Sequence, residues 1–474
     1  MQDIHLDKTH QLDDLYATCG DQVYLIGSQH GGFPPIGGHV PGEMGGVWDH
    51  PIKLLDGFWF AITEDDQVWW LTDAVRYRIG LGYSQLLFQR PDLEVERWEF
   101  APDGLEGLCV ELLLKDLSGR KRQLTATFLV RTDLQPAWLG ERAGLFDHAD
   151  QAMYSPELKA ICAWDSGHPW QVMCGSDQEP AEAAIGDLPT PEPAPGQGIS
   201  GRLSYHVTLQ PNGKAILKFA IAGSTHSQQR AIVTYRRILQ QSRRLFRAKQ
   251  RHYQRLADTC VLHSPDPLLD RAFLWAKLDF QMLARTVDGL GQGAGAGLPE
   301  YPWWFGCDSE YAVPPMVAAG QFELAKSTLR LLATTSQQVN GNGRMVHELA
   351  TNGQVYNEGN AVEAALFTRA VYHTYRWSGD QQFLREMYPL CRQALLDYLL
   401  KECDPDKDLY PGGRSIVESP ETAEFLEALD TACYTWEGLQ LLAELAPDAG
   451  DGVHAARYRT LAERLGRGVR RQWW

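Results

Sequence analysis

At about Ser224 the sequence changes period, and this change limits the folds open to the chain more than any other feature. From about residue 20 to 222, apolar residues recur at intervals of two, in short runs broken by turn residues. Beyond it they recur every three to four residues, in runs long enough for helices. Strands gathered first and helices gathered second do not build an alternating α/β sheet; they predict a β domain followed by an α domain. A length of 474 residues allows two or three domains.

In the first part, residues 55–62 and 67–71 flank the polar turn Thr63-Glu64-Asp65-Asp66, a hairpin signal. Residues 93–100 alternate as a half-buried strand does, and 109–114 and 124–130 continue the pattern across Asp116-Leu117-Ser118-Gly119. Residues 203–209 and 215–221 flank Pro211-Asn212-Gly213. Many short strands at even spacing predict an antiparallel β-sandwich over residues 1–223, with 189–198 as an exposed Pro/Gly loop. The glycine-rich segments 31–39 and 45–51 read either as ordinary sheet turns or as loops reaching over the mouth of the second domain.

Residues 226–257 contain no Asp or Glu but hold Arg236, Arg237, Arg243, Arg244, Arg247, Lys249, Arg251 and Arg255. Apolar Tyr235, Leu239, Leu245, Phe246, Tyr253 and Leu256 fall at helical spacing, which predicts a helical linker over 224–262 with a solvated basic face. A docking face for an anionic partner is the alternative. Helical periodicity then marks 267–285, 322–334, 361–377, 381–403, 428–445 and 453–474. Short turns such as Ser378-Gly379-Asp380 predict antiparallel helical hairpins, while the long connections 287–301 and 339–360 hold the unusual residues. Residues 263–474 thus read as a helical toroid whose functional face is made by its long loops.

The net charge of −16 argues against nucleic acid or an anionic membrane as partner and suits a neutral one such as carbohydrate. The N-terminus lacks the basic and apolar regions of a signal peptide, and no apolar run reaches membrane-spanning length. Nine scattered cysteines without CxxC spacing indicate neither a disulfide framework nor a metal site. The expectation is a reduced, cytoplasmic protein without cofactor or metal. The run Gly289 to Gly297 lacks the spacing of a dinucleotide loop and reads as a flexible loop beside the site.

The chemistry concentrates in Trp303-Trp304-Phe305-Gly306-Cys307-Asp308-Ser309-Glu310-Tyr311. Flat aromatic faces stack on sugar rings, and a carboxyl beside them can be desolvated enough to act as an acid. Asp308 is the main candidate, with an N-capping aspartate as the structural alternative. Glu310 could hydrogen-bond a sugar hydroxyl or serve as a charge in a first helical turn. His347-Glu348 is not a zinc motif, since Thr351 stands where the second histidine would be. With Asn352, Tyr356, Asn357 and Asn360 it reads as a polar sugar-binding wall, with a surface loop hydrogen-bonding to itself as the alternative. Glu363, Asp430, Tyr434 and Trp436 mark the starts of later helices, and Asp430 stands in an otherwise apolar turn.

With these residues in view, the chain resembles the six-hairpin glycosidases, in particular bacterial glycogen-debranching or amylo-α-1,6-glucosidase-like proteins related to glycoside hydrolase family 63. The resemblance rests on residues 302–310, on His347-Glu348 through Asn352-Gly353 and Tyr356-Asn357, and on residues 430–436. It implies a β-sandwich, a helical linker and an (α/α)6 barrel. It also implies an inverting hydrolase of α-glucosidic bonds in oligosaccharides or glycogen-like glucans, with Asp308 as general acid. Trp303, Trp304, Phe305 and Tyr311 would line a subsite, and Asp430 would fall where relatives carry an acidic sugar-binding residue.

Two departures qualify this. Relatives often carry Arg directly before the acid, where this chain has Cys307. About seven helices follow the linker where an (α/α)6 barrel has twelve, so the barrel reads as its first part only, with the general base of the family beyond the span present. Glu348 or Glu427 could substitute only in a different architecture. Two other readings follow: an inverting disaccharide phosphorylase, which needs one catalytic carboxylate because phosphate replaces the activated water, and an inactive carbohydrate-binding remnant. The sequence leaves the oligomeric state open.

Overall fold

A computed structural model describes residues 4–415 and 427–473. The chain divides into two compact units, Met1–Arg255 and Leu256–Trp474. The first holds two large antiparallel sheets, one of nine strands and one of eight, around a core that includes Phe58, Phe60, Phe128 and Phe219. The expected hairpin forms between the strands Ile52–Glu64 and Gln67–Trp70, with Ala61 opposite Trp70.

The strand Leu93–Phe100 departs from the half-buried expectation. Leu93 and Val95 enter the sandwich core, whereas Trp98 and Phe100 belong to a second apolar cluster on the other face. That face is covered by helix α1, Gln228–Asp258, through Ala231, Tyr235, Ile238 and Leu239. The apolar phase therefore switches faces along the strand because both faces are covered. The inward positions left over hold Arg97 and Glu99, an ion pair at 2.8 Å that Tyr16 joins by donating its hydroxyl to Glu99 at 2.6 Å. Burial pushes the Glu99 carboxyl up against the opposing pull of Arg97.

The basic run of α1 is partly spent inside the unit. Lys249 donates to Asp103 (2.6 Å) and to the carbonyl of Cys19 (2.8 Å), and Arg236 pairs with Glu157 at 2.7 Å. The first glycine-rich segment is built into the sandwich: the Gly31 carbonyl accepts from Arg97, and Phe33 packs on Phe58 and Trp59. Part of the second is itself a strand, Gly46–Asp49.

In the second unit α2 (Pro267–Met282) leads to α3 (Gly306–Ala318), α4 (Phe322–Val339), α5 (Ala361–Ser378), α6 (Gln381–Gln393), α7 (Leu429–Leu445) and α8 (Ala455–Gln472). A π-helical stretch, Ala394–Glu402, extends α6. α3 packs on α4 and α5, α5 on α7, and α7 on α8. The short turn between α5 and α6 works because Gly379 adopts φ 66° and Asp380 caps α6, accepting from the N–H groups of Gln382 and Phe383. These helices make a helical C-terminal part; a twelve-helix ring is not present among the described residues. None of the described helices is long and apolar enough to cross a membrane.

Candidate active site

The loop ahead of Asp308 is ordered by pairing. The strand Ala284–Val287 pairs with Gly291–Ala294, so the glycine run is a hairpin arm rather than the flexible loop expected. A Cβ at Gly293 would lie 2.9 Å from Cδ1 and Nε1 of Trp304, so only glycine lets the indole lie this close to the strand. Trp304 is thereby enclosed with Val287, Leu331 and Leu349.

Next, Trp304–Phe305 pairs with Glu348–Leu349, which pairs with Val355–Asn357. A segment about forty residues upstream thus joins a local hairpin as a third strand, with Phe305 opposite Glu348 and Glu348 opposite Asn357. The Gly306 N–H donates to the His347 carbonyl at 2.7 Å and the His347 N–H to the Asn357 carbonyl at 3.0 Å. α3 starts from this small sheet.

On α3, residues Gly306, Ser309, Glu310, Val313, Met316 and Val317 form the buried stripe, and Asp308 stands off it. The Asp308 carboxylate is exposed and accepts no hydrogen bond among the described residues. It borders a cavity of about 720 Å³ with Phe280, Tyr311, Met316, His347, Asn360 and Cys307 among the other lining residues. Asp308 is the one carboxylate among those lining residues. Cys307 also packs on Val362 and Leu366 of α5, so its side chain is turned partly into the apolar interior.

His347 is fixed from behind. Its Nδ1 is bonded to the carboxylate of Glu363, which also accepts from the Asn360 N–H at 2.7 Å. Phe305 presses on the imidazole edge-to-face at 5.7 Å. The approach depends on Gly359, with φ 126°, where a Cβ would come within 1.7 Å of the Met345 carbonyl oxygen.

Several expected sugar contacts are not at the cavity surface. Trp303 and Trp304 are 0% exposed, and Trp303 stacks on Tyr356 (5.1 Å) and Phe305 (6.2 Å). Their large apolar faces are used in packing, so the two indoles form no open stacking wall. Glu310 is also 0% exposed, and neither carboxylate oxygen has a hydrogen-bond partner. Burial, reinforced by the charges of Glu363 and Asp308, raises its pKa well above the usual carboxylate range. Its burial keeps it from serving as a ligand for a sugar hydroxyl in the cavity.

Glu348, Tyr356 and Asn357 are half-buried on the small sheet. Asp430 opens α7 and accepts from the Thr431 N–H at 2.7 Å. Tyr434 reaches α3 by a hydroxyl–hydroxyl bond to Tyr311 at 2.5 Å. Trp436 lies against Gly466 of α8, away from the lining residues, which is the reason it cannot serve as a wall of this cavity. Glu427 borders a second cavity, of about 690 Å³, so it does not face Asp308 as a substitute base. Of the expected site, the structure brings Asp308, Tyr311 and His347 to one cavity, with Phe305 directly behind. Phe280 of α2 was missed; no local signal marks it, because its position there depends on packing against the core of the helical unit. The Glu363 contact had a local signal in the Asn360-x-x-Glu363 spacing at a helix start.

No protein-family model matches the chain, and no curated protein matches it in sequence. Among solved structures, it is similar to a human-microbiome protein described as a putative kojibiose phosphorylase, with TM-score 0.59, 11% identity, and coverage of 98% of this chain and 63% of that one. The chain thus spans less than two thirds of that structure's length. A family GH92 α-mannosidase from Bacteroides thetaiotaomicron gives TM-score 0.41, 8% identity and coverage of 94% and 57%. A family GH78 rhamnosidase from a Bacillus species gives 0.38, 11%, and 74% and 32%. The first of these likenesses establishes a shared fold of sandwich and helical units.

Proposed function

We propose that the chain belongs to an enzyme that cleaves glycosidic bonds with inversion, with Asp308 as the general acid. The observation that carries this reading is the exposed, unpartnered Asp308 carboxyl opening into a cavity large enough for a sugar ring beside Phe280 and Tyr311. The carboxyl would protonate the glycosidic oxygen as the bond to the anomeric carbon breaks, and a nucleophile would attack from the opposite face. His347, held by Glu363, would position a hydroxyl or an anion on the wall. The fold likeness to a protein described as a kojibiose phosphorylase supports an α-linked glucoside as substrate class.

Two nucleophiles fit. Water would need a second carboxylate as base, as in the glycogen-debranching type of hydrolase built on a complete (α/α)6 toroid. Inorganic phosphate needs none, and a cavity with Asp308 as its one lining carboxylate favours this second reading. The test is to incubate the protein with α-linked glucose disaccharides, with and without phosphate, following glucose and glucose 1-phosphate and the product anomer by NMR. Glucose 1-phosphate of β configuration, formed only with phosphate, supports phosphorolysis. β-Glucose without phosphate supports hydrolysis. Retained configuration, or no turnover in either condition, refutes the proposal.

A further inference from the structure

At one edge of the nine-stranded sheet, well away in sequence from Asp308, two imidazoles meet a buried carboxylate. His148 lies in the loop before the edge strand Asp150–Ser155, Asp165 ends the strand Ala160–Asp165, and His168 lies in the turn that leads to Gln171–Ser176. Each offers a ligand atom, and these atoms all lie within 4.8 Å of one another. His148 Nδ1 is 3.7 Å from Asp165 Oδ1. Two ligands of a tetrahedral zinc ion, each about 2.0–2.1 Å from the metal, stand about 3.4 Å apart, so His148 and Asp165 need to close by only a few tenths of an ångström and no pair by more than about 1.4 Å.

The polar accounting points the same way. Asp165 is 3% exposed, and its Oδ2 has no hydrogen-bond partner. His148 Nδ1 is likewise shielded from solvent and unpartnered, as is Oδ1 of neighbouring Asp147. Folded proteins seldom leave several such atoms together without a ligand. The donors are also held in place. Asp165 Oδ1 accepts from the N–H groups of Gly167 (2.8 Å) and His168 (2.5 Å). The His168 ring stacks on Trp170 at 4.0 Å, and its Nε2 lies 3.1 Å from the Phe146 carbonyl oxygen, closer than the 3.4 Å to the Phe146 N–H. A proton on that Nε2 leaves the Nδ1 lone pair for a metal. Gly167 is required for the approach, since a Cβ there would sit 2.5 Å from His148 Nδ1.

We propose that His148, Asp165 and His168 bind one zinc ion. The ion ties the loop ahead of the edge strand to the turn of the neighbouring hairpin. Its fourth position faces solvent, because the His148 side chain is 41% exposed, and takes water. The site is independent of the Asp308 reaction and stabilises the sandwich unit.

The test is to equilibrate the full chain with zinc chloride, desalt it, and measure bound zinc together with the thermal midpoint. The wild type is expected to retain one zinc per chain and to melt higher with zinc than without. His148→Ala and His168→Ala are each expected to lose that zinc and the rise in midpoint. His168→Ala also removes the stack on Trp170, so the decisive variant is His148→Ala, whose ring is partly in solvent and whose zinc-free midpoint should match the wild type. Cobalt chloride should give the intense visible bands of a tetrahedral site in the wild type alone. Zinc retained equally by wild type and His148→Ala, or absent from both, overturns the proposal.

Discussion

The clearest energetic consequence of the structure lies in Glu310. Its carboxyl is fully buried, has no hydrogen-bond partner, and sits beside Glu363 and Asp308. Its folded pKa is raised well above the 4.5 of an ordinary glutamate, first by burial and then by those two charges. Below that ordinary value the carboxyl is protonated in both states and costs nothing through titration. Above it the unfolded chain releases the proton while the folded protein keeps it, so stability is lost as pH rises towards the folded pKa. The loss approaches about 1.4 kcal/mol per pH unit over the range in which the unfolded group is ionised and the folded group still holds its proton. Glu310→Gln removes this titration at nearly constant shape. Burying the amide shifts stability by a constant amount, so the slope against pH, not the offset, is the readout. Urea unfolding followed by far-ultraviolet ellipticity, at several pH values from 5 to 7, should show the variant gaining stability relative to the wild type as pH rises, by at most about 1.4 kcal/mol per pH unit. Parallel profiles would refute the reasoning.

Two further changes probe the support of the site. Trp304→Ala removes an indole enclosed by Val287, Leu331 and Leu349, and is expected to cost the helical unit about 3–5 kcal/mol in the same urea measurement; a cost below about 1 kcal/mol would mean the ring is not packed as described. Gly359→Ala places a methyl against the Met345 carbonyl in a left-handed backbone and should cost at least about 1–3 kcal/mol, and an unchanged midpoint would contradict that close approach.

The fold was legible wherever local patterning decides structure. The period change near Ser224 separates the two large sheets from the helices, short strands between 284 and 357 aside, and the hairpin around Asp65-Asp66 and the turn at Gly379 form where the residues predict them. The strand 93–100 was legible as a strand, but its two-sided burial was not, because the covering helix is more than a hundred residues away. The same limit applies at the candidate site. The segments 304–305, 348–349 and 355–357, which the sequence reading placed in one candidate site, pair as neighbouring strands. Which rings would be covered was not readable: Trp304 is enclosed by Leu331 and Leu349 from later elements. Glu310 reads as a sugar ligand or a first-turn helix charge, because a buried unpaired carboxylate is disfavoured on general grounds. Only the helical phase that puts it on the stripe with Val313 and Val317 reveals that it is inside.

The central claim is that Asp308 delivers a proton to a departing sugar oxygen, and comparing leaving groups in wild type and Asp308→Asn tests it most directly. An α-linked disaccharide needs that proton, whereas α-glucosyl fluoride releases fluoride with little acid help. The account predicts a loss of about 10²–10⁴-fold in kcat/KM on the disaccharide, a far smaller loss on the fluoride, and an unchanged midpoint because the side chain is exposed and unbonded. Equal losses on both substrates, or full activity of the variant on the disaccharide, would contradict it.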